Sequence, residues 1–122
     1  MAAACAARPI RRVQVEGESM QPTLQPGDRI LAVRPARPRP GDVVVVRDPR
    51  RPDRLLVKRV AMTGSGGVVV LGDNPAASTD SRAFGPLPRV WGRAVYRYGP
   101  ADRAGRIRRP LPTEGQRVGS RL

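Results

Sequence analysis

The chain has 122 residues, of which 23 are Lys or Arg and 10 are Asp or Glu, so its formal net charge at neutral pH is +13. It contains no histidine, which excludes catalytic triads built on histidine and metal sites ligated by it. Its single cysteine, Cys5, can form neither an internal disulfide nor a zinc cluster. This length predicts one domain with a hydrophobic core of modest size.

Short runs rich in β-branched residues predict the strands, and turn signals separate them. In chain order the runs are residues 13–15, 29–33, 43–46, 55–62, 68–71 and 90–98. The second and third runs follow the tripeptides Pro26-Gly27-Asp28 and Pro40-Gly41-Asp42, which are typical of type II turns with glycine at positive φ. Residues 47–54 are predicted to be a solvated loop between two strands. Helical periodicity is weak, so the pattern predicts an all-β, barrel-like domain.

Three regions follow from composition. Residues 1–9 are expected to be a flexible N-terminus, residues 10–99 the folded domain, and residues 100–122 a disordered basic tail rich in Arg, Gly and Pro. No run approaches the roughly 20 apolar residues that cross a bilayer. The apolar stretch at residues 1–7 is too short for a signal peptide. These features predict a protein without stable membrane insertion, located in the cytoplasm.

The positive charge suits a polyanion, and one hypothesis is a basic β-barrel that binds nucleic acid without catalysis. The arginines are scattered, however, and the chain has one Phe, one Trp and two Tyr, too few for a platform on which bases stack. Nucleic-acid binding is therefore not predicted as the main role.

Lys58 is the only lysine among the 23 basic residues, and it lies in the apolar run at residues 55–60. Arginine stays protonated at any workable pH, whereas a desolvated lysine can lose its proton and act as a base. One interpretation is that this amine must be neutral. The other is that one lysine escaped an arginine-biased composition.

The candidate nucleophile is Ser19, in the segment of residues 17–24. A serine hydroxyl needs an adjacent base to become nucleophilic, and without histidine the bases available are carboxylates and Lys58. A Ser–Lys pair is an established variant of the catalytic triad. Taken alone, the segment around Ser19 favours an ordinary turn serine over a nucleophile.

A third segment, residues 72–86, is dense in small polar residues that bond locally to backbone and fix an irregular loop. Asp80 and Arg82 are expected to form a charge-assisted pair that holds this loop.

Together, four segments in this order resemble the conserved boxes of the type I signal peptidase family: residues 19–24, 41–46, 57–60 and 72–85. The resemblance covers about residues 13–92. It implies an all-β fold, a signal-peptidase-like coiled β-sheet barrel of about six or more short strands. It also implies a serine endopeptidase that uses a Ser/Lys dyad and no metal or other cofactor.

The resemblance assigns a role to each matching position. Ser19 matches the catalytic serine, Lys58 the general base, and Ser78 the serine that orients the lysine. Gly17 stands where some members have a serine that donates to the oxyanion, so the backbone N–H of Ser19 is expected to carry that stabilisation. The remaining matches are Met20, which flanks the substrate cleft, and Asp80 and Arg82, which support the site.

The substrate expectation follows from the apparent lack of a membrane anchor. A small, arginine-rich member resembles the maturation proteases of nickel-type superoxide dismutase, which remove a short N-terminal extension from the dismutase precursor. That precursor is therefore the expected partner. The alternative is a signal peptidase I-like enzyme that cleaves exported preproteins at the membrane, with its anchor on a partner.

Overall fold

The computed structural model describes residues 9–34 and 36–107. Within these residues the chain forms seven strands: β1 (Ile10–Gln14), β2 (Arg29–Val33), β3 (Val43–Asp48), β4 (Arg51–Gly64), β5 (Gly67–Leu71), β6 (Gly92–Gly99) and β7 (Gly105–Arg106). One short helix, α1 (Ser81–Phe84), and two 3-10 turns, Pro75–Ala77 and Ala101–Arg103, complete them. The all-β fold expected from the sequence is confirmed.

All seven strands belong to one antiparallel sheet with the order β1-β2-β6-β3-β4-β5, and β7 pairs with β6. β1 stands at one end of this order, and in the described part of the chain it pairs with β2 alone. One edge of β1 is therefore available for a further strand.

The two Pro-Gly-Asp tripeptides form the turns that introduce β2 and β3. Gly27 and Gly41 have φ values of 91° and 94°, as the third position of a type II turn requires. In each turn the amide of the aspartate, Asp28 or Asp42, donates to the carbonyl three residues earlier at 3.0 Å. The aspartate carboxylate accepts the amide of that same earlier residue, at 2.9 and 3.0 Å. These closed turns define where both strands begin.

The sheet has a hydrophobic cluster on each face. The four consecutive valines of β3, residues 43–46, are all buried. Val43 packs into one cluster, and Val44 and Val46 pack into the other. The first cluster comprises Val15, Met20, Leu24, Ile30, Val43 and Ala94. The second comprises Val44, Val46, Val60, Val68, Val70 and Leu87. Each fully buried Val, Leu, Ile or Met side chain in these clusters contributes about 1.5–3 kcal/mol to folding.

The β3–β4 hairpin is tighter than the sequence predicts, since β4 begins at Arg51 and the expected loop at 47–54 is largely strand. Asp48 is 1% exposed and accepts three hydrogen bonds from Arg50, one from its amide and two from its guanidinium, at 2.9–3.0 Å. This local pair compensates the buried carboxylate and closes the turn.

Beyond β6 the described chain stays in contact with the sheet. The guanidinium of Arg103 donates to the buried carboxylate of Asp28. The amide of Ile107 donates to the carbonyl of Val95 at 3.0 Å, and its side chain packs against the first cluster. These contacts anchor the segment that carries β7.

The observed contacts therefore extend past the predicted domain boundary at residue 99. Residues 100–107, assigned to the tail from composition, include a 3-10 turn and a strand. Of the predicted flexible N-terminus and basic tail, residues 1–8 and 108–122 lie outside the described residues.

Candidate active site

Ser19 and Lys58 line the same cleft, which has a volume of about 600 Å³. Ser19 is half-buried in the connection between β1 and β2, and Lys58 lies in β4. The cleft walls come mainly from β1, the segment that follows it, and the first half of β4. Ser19 lines the cleft, and within the described residues its hydroxyl forms no hydrogen bond.

The amine of Lys58 is buried, with 3% of the residue exposed. Its Nζ donates a hydrogen bond to Ser78 Oγ at 3.0 Å. Burial lowers the pKa of Lys58 because a charged amine loses its hydration, and although the Asp80 carboxylate opposes this, cationic arginines reinforce it. The contributing cations are Arg50, Arg54 and Arg82. The neutral amine is therefore favoured relative to an exposed lysine.

The Ser78 hydroxyl donates its hydrogen to Asp80 Oδ2 at 2.8 Å. A serine hydroxyl has one hydrogen, so Ser78 acts only as an acceptor toward Lys58. The three side chains form a directed chain in which Lys58 donates to Ser78 and Ser78 donates to Asp80.

Asp80 is 1% exposed and receives several hydrogen bonds besides that of Ser78. The Gly72 amide donates to it at 2.8 Å, and Arg82 donates from Nε and Nη2, each at 2.9 Å. Burial raises the pKa of Asp80, but the hydrogen bonds from Arg82, the Gly72 amide and Ser78 outweigh it and hold that pKa well below its usual value. Asp80 is therefore ionised at neutral pH and also caps α1 through the Arg82 amide.

The segment of residues 72–74 connects the Ser19 turn to the Lys58–Ser78 pair. The Asn74 amide donates to the Ser19 carbonyl at 2.8 Å, and Asn74 Nδ2 donates to the Glu18 carbonyl at 3.1 Å. A Cβ atom on Gly72 would lie 2.2 Å from Ser78 Oγ and 2.7 Å from the Ser19 carbonyl oxygen. Only glycine leaves room for this approach. The sequence signal was the Gly-Asp-Asn triplet, to which no individual roles were assigned.

A second connection lies on the side of β4 away from Lys58. Arg59 donates to both oxygens of Asp73, at 3.0 and 2.6 Å, and to the Gly41 carbonyl at 2.9 Å. Thr23 Oγ1 donates to Asp73 Oδ2 at 2.6 Å. Sequence reasoning assigned no role to these contacts, which join segments far apart in the chain.

Met20 has two environments. It lines the cleft, yet it is 1% exposed and belongs to the first hydrophobic cluster. Gly17, two residues before Ser19, has a φ of 74° and no atom within 4 Å of a Cβ built on it. In residues 9–34 and 36–107, no group of three or more His, Cys, Asp or Glu side chains is placed to hold a metal ion.

Comparison with known proteins matches residues 1–65 to the family described as Signal peptidase, peptidase S26. Mitochondrial ATP-independent inner membrane protease subunit 1a of Arabidopsis thaliana is 38% identical over 128 residues, covering 81% of this chain and 76% of the relative. Mitochondrial inner membrane protease subunit 2 of Mus musculus is 33% identical over 139 residues, covering 91% and 76%. Mitochondrial inner membrane protease subunit 1 of Homo sapiens is 31% identical over 122 residues, covering 79% and 74%.

These relatives contradict one expectation and give no support to a second. Their names describe inner membrane proteases, which contradicts the prediction of a cytoplasmic protein. That prediction relied on the lack of an apolar run, and such a lack does not report where a protein works. The names also give no support to a nickel superoxide dismutase precursor as substrate.

The described residues contain no helix with the length and apolar character needed to span a membrane.

Proposed function

Because the chain belongs to the peptidase S26 family of signal peptidases, and is on that ground a serine protease, we propose that Ser19 is its nucleophile and Lys58 its general base. The observation that carries this proposal is a buried lysine of lowered pKa in the cleft that Ser19 lines. The chain has no histidine that could replace it.

In the first half of the reaction, neutral Lys58 takes the proton of the Ser19 hydroxyl as its oxygen attacks the scissile carbonyl carbon. The tetrahedral intermediate carries a negative oxygen, which the Ser19 backbone N–H stabilises. Collapse of the intermediate breaks the C–N bond, and protonated Lys58 gives its proton to the leaving amine. The product is an acyl-enzyme on Ser19.

In the second half, Lys58 takes a proton from water, and the resulting hydroxide attacks the acyl carbon. Collapse releases the carboxylic acid product, and Lys58 returns the proton to the Ser19 oxygen. Both halves use the same base in the same place, so the amine must be held in a fixed direction throughout.

Ser78 and Asp80 support that direction. Lys58 uses one N–H on Ser78, whose only hydrogen goes to ionised Asp80. Ser78 therefore cannot donate to the nitrogen lone pair of neutral Lys58, and the lone pair is left for the Ser19 proton. Asp80 also attracts the protonated amine that forms during each half-reaction. In this proposal Arg82 keeps Asp80 ionised, and Met20 shapes the cleft beside the nucleophile.

The substrate is proposed to be a precursor protein whose cleaved segment is extended. β1 ends the strand order of the sheet and lines the cleft, and its outer edge pairs with no other strand of the described residues. An extended peptide can therefore add to that edge through backbone hydrogen bonds. The relatives are named as inner membrane proteases, which supports work at a membrane surface on precursors presented there.

The proposal is tested by incubating the purified protein with a tagged precursor that carries an extended N-terminal segment and measuring intact product mass. The wild-type protein should yield one new N-terminus, and Ser19→Ala should yield none. A nickel superoxide dismutase precursor forms a second arm, because it is the substrate expected from the sequence. Equal cleavage by wild type and Ser19→Ala in either arm would contradict the proposed nucleophile.

A further inference from the structure

We propose that Asn74 is a positioning residue: it fixes the direction of the Ser19 backbone N–H and so builds the oxyanion site of the protease. The inference rests on the proposed roles of Ser19 and Lys58 and deepens them, because it names the group that orients the oxyanion donor.

The Glu18 carbonyl and the Ser19 N–H belong to one planar, trans peptide group, so the two point in opposite directions. Asn74 Nδ2 holds the Glu18 carbonyl at 3.1 Å, which directs the Ser19 N–H to the opposite side. The Asn74 amide holds the next carbonyl, that of Ser19, at 2.8 Å. One residue thereby fixes both peptide planes that flank the nucleophile.

The Ser19 N–H is left unpaired by this arrangement within the described residues, while Ser19 lines the cleft. The amide of Gln21 also donates to the Glu18 carbonyl, at 3.2 Å, but it belongs to the same turn and moves with it. Asn74 is the contact from a distant segment, 56 residues along the chain from Glu18. It can therefore fix the turn relative to Lys58 and Ser78.

The orientation of the Asn74 side chain is itself informative. Asn74 occupies the N-cap position of the 3-10 turn Pro75–Ala77, where an asparagine commonly caps its own turn. Here the side chain makes no such cap, and its Nδ2 donates to the Glu18 carbonyl instead. Gly17 increases the need for this contact, since it supplies no side-chain donor and has the conformational freedom of a glycine at φ 74°.

The competing explanation is that Asn74 only ties the Ser19 segment to residues 72–74 and does not orient the Ser19 N–H. The chain offers a matched control for this explanation. Thr23 Oγ1 donates to Asp73 Oδ2 at 2.6 Å, so it joins the same two segments without touching either peptide group of Ser19. Thr23→Val removes a tie, whereas Asn74→Ala removes a tie and also the Nδ2 contact with the Glu18 carbonyl that orients the Ser19 N–H. The bond from the Asn74 backbone amide to the Ser19 carbonyl is kept in both variants.

The test compares Asn74→Ala and Asn74→Asp with Thr23→Val in the full chain, using a cleavable peptide. Both Asn74 variants should lower kcat by about tenfold to a hundredfold, less than the roughly 100- to 1,000-fold loss when an oxyanion donor is deleted outright. KM and the midpoint of the pH profile should stay close to wild type. Thr23→Val should keep kcat within about threefold of the wild-type value, even if its thermal stability falls as much as that of the Asn74 variants.

The affinity for a peptide aldehyde provides a second measurement. The Ser19 oxygen adds to the aldehyde carbon, and the former carbonyl oxygen of the resulting hemiacetal lies in the oxyanion position. The Asn74 variants should weaken aldehyde binding by the same factor as kcat, while the matching peptide alcohol binds as it does to wild type. The nearly isosteric Asn74→Asp variant serves if Asn74→Ala does not fold.

Equal kcat losses in Thr23→Val and the Asn74 variants, or a loss confined to KM, would overturn the inference. An aldehyde that binds all proteins equally would overturn it too. Failure of the proposed function is distinguishable, since it appears as unchanged cleavage in Ser19→Ala and Lys58→Ala.

Discussion

Lys58 donates a 3.0 Å hydrogen bond to Ser78, whose own hydrogen is committed to Asp80 at 2.8 Å. Ser78 is therefore an acceptor in a fixed direction, and it orients the amine without occupying its lone pair. In the proposed mechanism, this arrangement lets Lys58 act as the base in a chain that has no histidine.

Ser78→Ala removes the acceptor that orients Lys58. We expect kcat to fall by about a hundredfold, the scale of a misplaced catalytic group, with KM little changed. Steady-state kinetics on a cleavable peptide measure this. A larger change in KM than in kcat would show that Ser78 contributes to substrate binding instead.

The rate should rise with pH as Lys58 loses its proton, because only the neutral amine can accept the proton of Ser19. Burial and nearby cations lower the pKa of Lys58, so the midpoint should lie below its ordinary value of 10.5. Arg54 is exposed in the cleft and is one of these cations. Arg54→Gln should therefore move the midpoint to higher pH, by an amount that shrinks as salt screens the exposed charge.

Arg51→Gln is the control for charge alone, because Arg51 is exposed and does not line the cleft. Its pH profile should match that of the wild-type protein. A midpoint that moves to lower pH in Arg54→Gln would contradict the assignment.

Gly72→Ala places a methyl group 2.2 Å from Ser78 Oγ and 2.7 Å from the Ser19 carbonyl oxygen. Both groups must move, so we expect activity to fall below detection and the free energy of unfolding to drop by about 1–3 kcal/mol. Gly66→Ala is the matched control, since a Cβ there meets nothing within 4 Å. Denaturant unfolding and peptide cleavage measure the two effects, and an active Gly72→Ala protein would refute the packing described here.

Arg103→Ala removes a partner of Asp28, which is fully buried. The free energy of unfolding should fall by about 1–3 kcal/mol, the cost of a buried acceptor that loses a charged donor. Asp102→Ala, which changes an exposed neighbour, should have little effect. If Arg103→Ala leaves the free energy of unfolding unchanged, the contact between Arg103 and Asp28 adds nothing to stability.

Local signals in the sequence were sufficient for most of the fold. The Pro-Gly-Asp tripeptides have the chemistry of the turns they form, and the valine run at 43–46 is buried on both faces, as its unbroken apolar pattern indicates. The burial of Lys58 follows in the same way from the apolar residues around it in β4. In each case the determining interactions lie within a few residues.

The remaining features depend on partners far along the chain. β6 inserts between β2 and β3, and no local pattern specifies that order. Thr23 and Asp73 are 50 residues apart, so their contact becomes visible only in the fold. Composition assigns the segment that holds the two residues of β7 to a tail. A strand forms there because pairing with β6 outweighs the weak local propensity.

In the proposed mechanism, Lys58 is the base that activates Ser19. The most direct measurement is cleavage of one precursor by wild type, Ser19→Ala, Lys58→Met and Lys58→Arg, with circular dichroism to verify that each protein is folded. Only the wild-type protein should cleave the precursor, since methionine has no basic nitrogen and the guanidinium of arginine stays protonated. A folded Lys58→Met or Lys58→Arg protein that cleaves the precursor at the wild-type rate would show that Lys58 is not the base.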